Sequence, residues 1–230
     1  MDGETRRTRA GSRANVSGSS SSDRSSRRAS APHTPCFTAG TEIATHRGPV
    51  PIEDLRAGDR VLTRDNGYRP IRWIGARRFD AAVLADYPEL QPVRIPAGAL
   101  GAGRPARDIV VSPQHRMLLA GAEAIGLAGE SEILVAAVDL IGFGVAEPAR
   151  LDAVVYFHIL FDAHEIVWAN GCWSESFLPE AAALDGLHTA QRREVLTIFP
   201  ELATGDGQAA FGLARAAFVP AAPVRVAIAA

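Results

Sequence analysis

Lysine is absent from the 230 residues, and all 24 basic side chains are arginine. That removes Schiff-base chemistry and a lysine general base from the mechanisms open to the chain. Cysteine is nearly absent, with only Cys36 and Cys172. Two thiols cannot build a disulfide framework, and no Cys-x-x-Cys pair gives a zinc signature. A single bridge between them stays open, with separate roles the preferred reading. Long apolar runs are lacking as well: no stretch approaches the roughly 18 residues of a transmembrane helix, so no membrane span is expected. The N-terminus is basic but has no apolar h-region, so it is not a standard Sec signal. A formal net charge of -2 argues against a nucleic-acid partner.

What is present falls into three segments. Residues 1–34 carry seven Arg against Asp2, Glu4 and Asp23, with nine Ser and almost nothing large and apolar. Such a segment cannot bury enough surface to offset its ordering entropy, so it is expected to be a disordered leader. Residues 35–178 read as the folded domain and are mostly β. Short apolar runs separated by turn signals are expected as strands over 41–45, 60–64, 71–74, 93–95, 109–111, 117–119, 133–138, 154–161 and 165–169. Asn66-Gly67, between two such runs, predicts a tight hairpin of type I′. Residues 179–230 form an Ala-rich extension, where Val195, Leu196, Phe199 and Leu202 fall at helical spacing. They predict one helix over 189–199 that Pro200 ends or kinks. Asn170-Gly171 reads as a turn.

Four stretches in order then carry a resemblance. They are Pro35-Cys36-Phe37-Thr38-Ala39-Gly40-Thr41, the run from Val50 to Leu62 with its Gly58-Asp59-Arg60-Val61 turn, Val111-Ser112-Pro113-Gln114-His115, and the late block from Val155 to His164 followed by Ala169-Asn170-Gly171. Together they resemble the Hint domain, the fold shared by inteins and Hedgehog autoprocessing domains. The wording, including Ala97-Gly98-Ala99-Leu100 and Ser174-Glu175-Ser176-Phe177, is similar to a bacterial Hint subfamily. The resemblance implies a horseshoe-shaped, pseudo-symmetric β fold that brings the first and last strands together, with the C-terminal helix as a short extension.

It also implies chemistry at Cys36. Cleavage by an internal thiol starts with an N-to-S acyl shift: the sulfur attacks the Pro35 carbonyl, and water, a thiol or an alcohol resolves the thioester. The substrate is the chain's own N-terminal segment, and no cofactor or metal is called for. A free thiol needs a nearby base or positive group, and the leaving amide nitrogen needs a proton. Ser112 is expected to hold the amide or its oxyanion, His115 to donate the proton, and His164 aligns with the late-block histidine. The catalytic candidates are therefore Cys36, Ser112, His115 and His164. His158, on the same strand face as Tyr156, reads as a packed, hydrogen-bonded histidine. A metal site from His158, Asp162 and His164 and a hydrolase using Ser112 with His115 are weaker readings. Cys172 reads as structural or modulatory.

The far end departs from the intein pattern. Inteins finish in His-Asn before a Cys, Ser or Thr, whereas Glu175 and Ser176 occupy those places here. Asn cyclisation is not supported, so single-turnover cleavage at the N-terminal side is the expected activity. The alternative is a non-catalytic Hint module in a bacterial secreted or surface protein. Pro35, whose ring restricts the backbone beside the attacked carbonyl, weighs toward slow chemistry. Free thiols and the lack of a Sec signal suggest the cytoplasm, with export by another route left open.

Overall fold

The computed structural model describes residues 34–220. The disordered-leader expectation thus falls, Thr34 excepted, outside the described residues, as does the apolar stretch 221–230.

Among the described residues, fourteen strands and six α-helices follow one another. The first half holds β1 (Phe37–Thr38), β2 (Glu42–Thr45), β3 (Gly48–Pro51), β4 (Arg60–Thr63), β5 (Gly67–Pro70), β6 (Trp73–Phe79), α1 (Ala81–Asp86), β7 (Val93–Ile95) and β8 (Ile109–Val111). The second half holds β9 (Arg116–Ala120), α2 (Ala122–Ala128), β10 (Glu132–Ala136), α3 (Ala137–Gly142), β11 (Glu147–Pro148), β12 (Val154–Leu160), β13 (Ile166–Ala169) and β14 (Cys172–Glu175), then α4 (Ala181–Gly186), α5 (Thr189–Ile198) and α6 (Gly205–Phe211). The mostly β architecture expected from the residues is what forms.

Two antiparallel sheets carry the strands. One has the order β11-β7-β8-β1-β12-β6; the other runs β10-β9-β14-β13-β2-β4-β5, with β3 paired to β2. Alternation of buried and half-exposed positions, as in β12, turns Val154, Tyr156 and His158 inward. The largest core packs Phe37, Ile43, Ile95, Ile109, Val111, Met117, Ile133, Ile159 and Phe161, all buried. Each such side chain contributes roughly 1.5–3 kcal/mol by leaving water.

Turn chemistry explains where the chain reverses, and in one place corrects the expectation. The Asn66-Gly67 hairpin between β4 and β5 exists, but Asn66 is not among the positive-φ residues; only Gly67 is, at +64°. The type I′ geometry needs both, so this is a longer loop, its Gly in the left-handed region. Instead, Asn66 donates through Nδ2 to the Glu165 carboxylate at 3.1 Å. Positive φ at two consecutive residues appears at Asn170 (45°) and Gly171 (82°), joining β13 to β14.

The helix expected over 189–199 forms as α5, which ends one residue before Phe199. Helices α4 and α6 flank it and were not anticipated. The expected strand over 133–138 stops at Ala136, where α3 begins. Ala183, Leu184, Leu187, Val195, Phe199 and Leu202 of this extension pack on Trp73, Leu160 and Phe177. The extension therefore covers the β6 edge of the first sheet.

Candidate functional site around Cys36

Register places the groups. Strand β1 is only two residues long, yet it lies between β8 and β12, pairing Phe37 with Val111 on one side and with Phe157 on the other. One step back along both ladders, Cys36 faces Ser112 and His158. Opposed residues of an antiparallel pair point to the same face, so thiol, hydroxyl and imidazole converge.

The contacts follow that geometry. The Cys36 amide donates to Ser112 Oγ at 2.9 Å, and Ser112 Oγ donates to the Thr34 carbonyl at 3.0 Å. The Ser112 amide donates to the Cys36 carbonyl at 3.0 Å. His158 Nδ1 lies 3.0 Å from the Pro35 carbonyl oxygen, and Nε2 lies 3.6 Å from Cys36 Sγ. A carbonyl can only accept, so Nδ1 carries the hydrogen and Nε2 of the neutral ring faces the thiol with a free lone pair. The thiol also sits 3.0 Å from the Thr34 carbonyl. Both ends of the Pro35–Cys36 peptide bond are thereby engaged, its nitrogen by Ser112 and its oxygen by His158.

Burial sets the electrostatics. Desolvation pushes the Cys36 thiol far above its usual range, against smaller opposing pulls from the Ser112 hydroxyl and the Arg77 guanidinium. Burial likewise lowers the His158 imidazole to about 4, despite the stabilising Pro35 carbonyl. The pair is held as neutral thiol and neutral imidazole. Beside Cys36 lies a cavity of about 90 Å³, its further walls including Arg77, Phe79, Glu89 and Gly186.

The other candidates sit elsewhere. His115 is buried below Phe37, ring centroids 4.4 Å apart, and neither ring nitrogen has a hydrogen-bond partner. Burial lowers its imidazole to about 4. His164 accepts from the Ala214 amide at Nδ1 (3.0 Å), which leaves Nε2 protonated, 3.3 Å from the buried Glu175 carboxylate though without good hydrogen-bond geometry. Glu175 also accepts from the Arg116 amide at 2.7 Å. So Cys36 and Ser112 are brought together, while His115 and His164 make no hydrogen bond to the peptide bond between Pro35 and Cys36. His158 takes the place beside it. Sequence reading passed it over because no spacing within β12 reveals which strand pairs with β1.

Cys172 is a free buried thiol like Cys36, donates to the Ala169 carbonyl at 3.2 Å, and is pushed up to about 12 by burial. Asp162 pairs with Arg72 at 3.0 Å. Among the described residues no group of three or more His, Cys, Asp or Glu could hold a metal ion, and no helix is long and apolar enough to cross a membrane.

Comparison with known proteins adds a family. Solved structures with similar folds include the gp41-1 intein (13% identity, TM-score 0.37, covering 61% of this chain and 97% of that one). The bacterial intein-like domain from Clostridium thermocellum is similar at 16% identity and TM-score 0.34, covering 61% and 97%. A DnaB intein from Synechocystis sp. PCC 6803 is similar at 12% identity and TM-score 0.37, covering 62% and 98%. No curated protein matches. The family model described as the Hint domain matches residues 35–181, beginning one residue before the thiol. The chain belongs to the Hint domain family.

Proposed function

We propose that this domain cleaves its own chain once, by an N-to-S acyl shift at Pro35–Cys36. The observation that carries the reading is the double engagement of that one peptide bond, by Ser112 at its nitrogen and His158 at its oxygen. His158 Nε2 takes the thiol proton as the sulfur bonds to the Pro35 carbonyl carbon. The imidazolium's Nδ1–H then holds the developing oxyanion, a contribution of about 10²–10³ in rate. As the carbon–nitrogen bond breaks, the imidazolium gives its Nε2 proton to the departing nitrogen, whose N–H the Ser112 Oγ holds in place, so the proton lost by sulfur ends on the new amine. The products are a thioester joining Pro35 to Cys36 Sγ and a free amino group on Cys36. The neutral resting pair suits a proton transfer concerted with attack better than a standing thiolate.

The thioester then awaits an acceptor. A dry cavity of about 150 Å³ holds benzene, so the smaller cavity at Cys36 suits water or a small thiol or alcohol. The Glu175-Ser176 ending supplies no asparagine to cyclise, so cleavage stops at the N-terminal side.

A reporter fused ahead of residue 30, with products weighed with and without hydroxylamine or dithiothreitol, tests this. The expected result is a fragment ending at Pro35 that vanishes in Cys36→Ala and falls at least tenfold in His158→Gln and Ser112→Ala. Intact protein under every condition overturns it. The complete burial of Cys36 favours a second reading, a non-catalytic Hint module of a bacterial exported protein, which predicts that intact protein.

A further inference from the structure

The imidazole at the cleavage centre is walled by aromatic rings, and one of them is held from outside the β domain. Gly75 of β6 pairs directly with His158 of β12. A Cβ on Gly75 would lie 2.3 Å from Cη2 of the Trp73 indole, so the indole folds back across Gly75 and only glycine leaves the room. There the indole stacks on the His158 ring, centroids 6.4 Å apart and planes 10° from parallel. Phe177 lies edge-on to the same imidazole at 5.5 Å and 6.2 Å from the indole, so the three rings form one cluster.

What fixes the indole is the C-terminal extension. Trp73 Nε1–H donates to Glu194 Oε2 of α5 at 3.0 Å. Gln191, one turn earlier on α5, donates to the Ala76 carbonyl at 3.0 Å, and Arg77 donates to the carbonyl of Gly186, the last residue of α4, at 3.3 Å. Three side-chain bonds thus pin the extension to the strand that carries Trp73. Glu194 lies beyond residue 181, where the family match ends.

We infer that Glu194 is a positioning residue for His158, acting through Trp73, and that the C-terminal extension is a working part of the cleavage centre. The inference rests on the acyl-shift reading for its consequence, but the chain Glu194–Trp73–His158 makes a claim about the histidine itself. A tilted indole loosens this cluster, and the imidazole then loses the single orientation in which Nδ1 meets the Pro35 oxygen and Nε2 the sulfur. Misplacement of that kind costs on the order of tenfold to a hundredfold in rate.

The test uses the full chain in two forms. In Cys36→Ala, which cannot react, nitrogen-15 NMR of labelled histidine reads the His158 tautomer, expected as the Nδ1–H form. Adding Glu194→Ala should lower that population; adding Glu194→Gln, which keeps an acceptor for the indole, should restore it. In the reactive chain, the hydroxylamine-dependent cleavage rate of folded protein should fall at least tenfold in Glu194→Ala, recover in Glu194→Gln, and fall equally in Trp73→Phe. The double variant Glu194→Ala/Trp73→Phe should be no slower than either single one, because both cut the same link. An unchanged tautomer in Glu194→Ala, or equal rates for the Ala and Gln variants, overturns the inference and leaves the acyl-shift reading standing. Altered tautomers with no cleavage by the parent chain overturn the acyl-shift reading alone, and with it the rate effect but not the positioning.

Discussion

His115 and His158 are both buried and both neutral, yet only one has its ring nitrogens matched. Each has its pKa lowered to about 4 by burial, below its unfolded value near 6.5. A depressed histidine means the unfolded chain binds more protons between those values, so stability is full above pH 6.5 and is lost as pH falls toward 4. The loss is on the order of 3 kcal/mol for each ring. His115 adds a cost at neutral pH, because an unpartnered buried polar group costs about 1–3 kcal/mol. His115→Leu is therefore expected to be at least as stable as the parent at pH 7 in urea unfolding, and to lose less on going to pH 5. A loss of more than about 2 kcal/mol at pH 7 would show that the nitrogens do have partners. How much of the site was legible divides at the same residues. Cys36 and Ser112 stood out because their flanking wording is specific. His158 did not, since its place beside the thiol comes from lying opposite Cys36 across a ladder that joins positions 122 residues apart. The general-acid expectation for His115 followed from its spacing to Ser112, which says nothing of the fact that Phe37 lies against its ring.

At the scale of elements, the hairpins show which glycines the backbone requires. Gly171 has a φ of +82°, and a Cβ there would sit 2.4 Å from that of Ala106 and 2.8 Å from the Ala106 nitrogen. Gly67 has a φ of +64° with nothing within 4 Å. Gly67→Ala bears only the left-handed penalty of about 1 kcal/mol, whereas Gly171→Ala must also push away backbone, for a total of about 2–4 kcal/mol. Thermal unfolding of the two variants side by side checks the ordering, and equal losses would refute it. Asn170 explains why that hairpin matters: its side chain accepts from the Glu42 amide at 2.8 Å and donates to the Asp108 carbonyl at 2.9 Å, tying β13 to segments from both sheets. Strands with apolar alternation were readable in the sequence. Those at edges or junctions, such as β1, β3 and β11, were not, because two to four residues carry no period and pairing alone defines them.

Across the whole molecule, the C-terminal segment ties down the second sheet as well as covering the β6 edge of the first. Beyond α6 it donates the Ala214 amide to His164, bonds to both backbone groups of Leu134 through Ala216 and Phe218, and places Arg215 between Asp65 and Glu132. Arg215 Nη2 meets Asp65 at 2.7 Å and Nε meets Glu132 at 2.6 Å, with Arg215 and Glu132 mostly shielded from solvent. Arg215→Met is expected to lower stability by about 1 kcal/mol at low salt, with a smaller difference at 1 M salt. A salt-independent loss in the melts would assign the effect to packing instead. The extension's single expected helix was legible from four apolar positions, but its reach from the first sheet to the second was not, because the Ala214, Ala216 and Phe218 bonds use backbone groups that any residue type supplies.

The two-residue strand β1 has a consequence in time. Cys36 emerges before its partners during synthesis: the hydroxyl at its amide lies 76 residues on, the imidazole 122, and the acidic anchor of the indole later still, on α5. A nascent or partly folded chain has a thiol beside a proline and none of these groups yet placed around it. Closing loops of that length belongs to the late, slow part of folding. Whatever Cys36 does, completion of the fold is the clock that starts it.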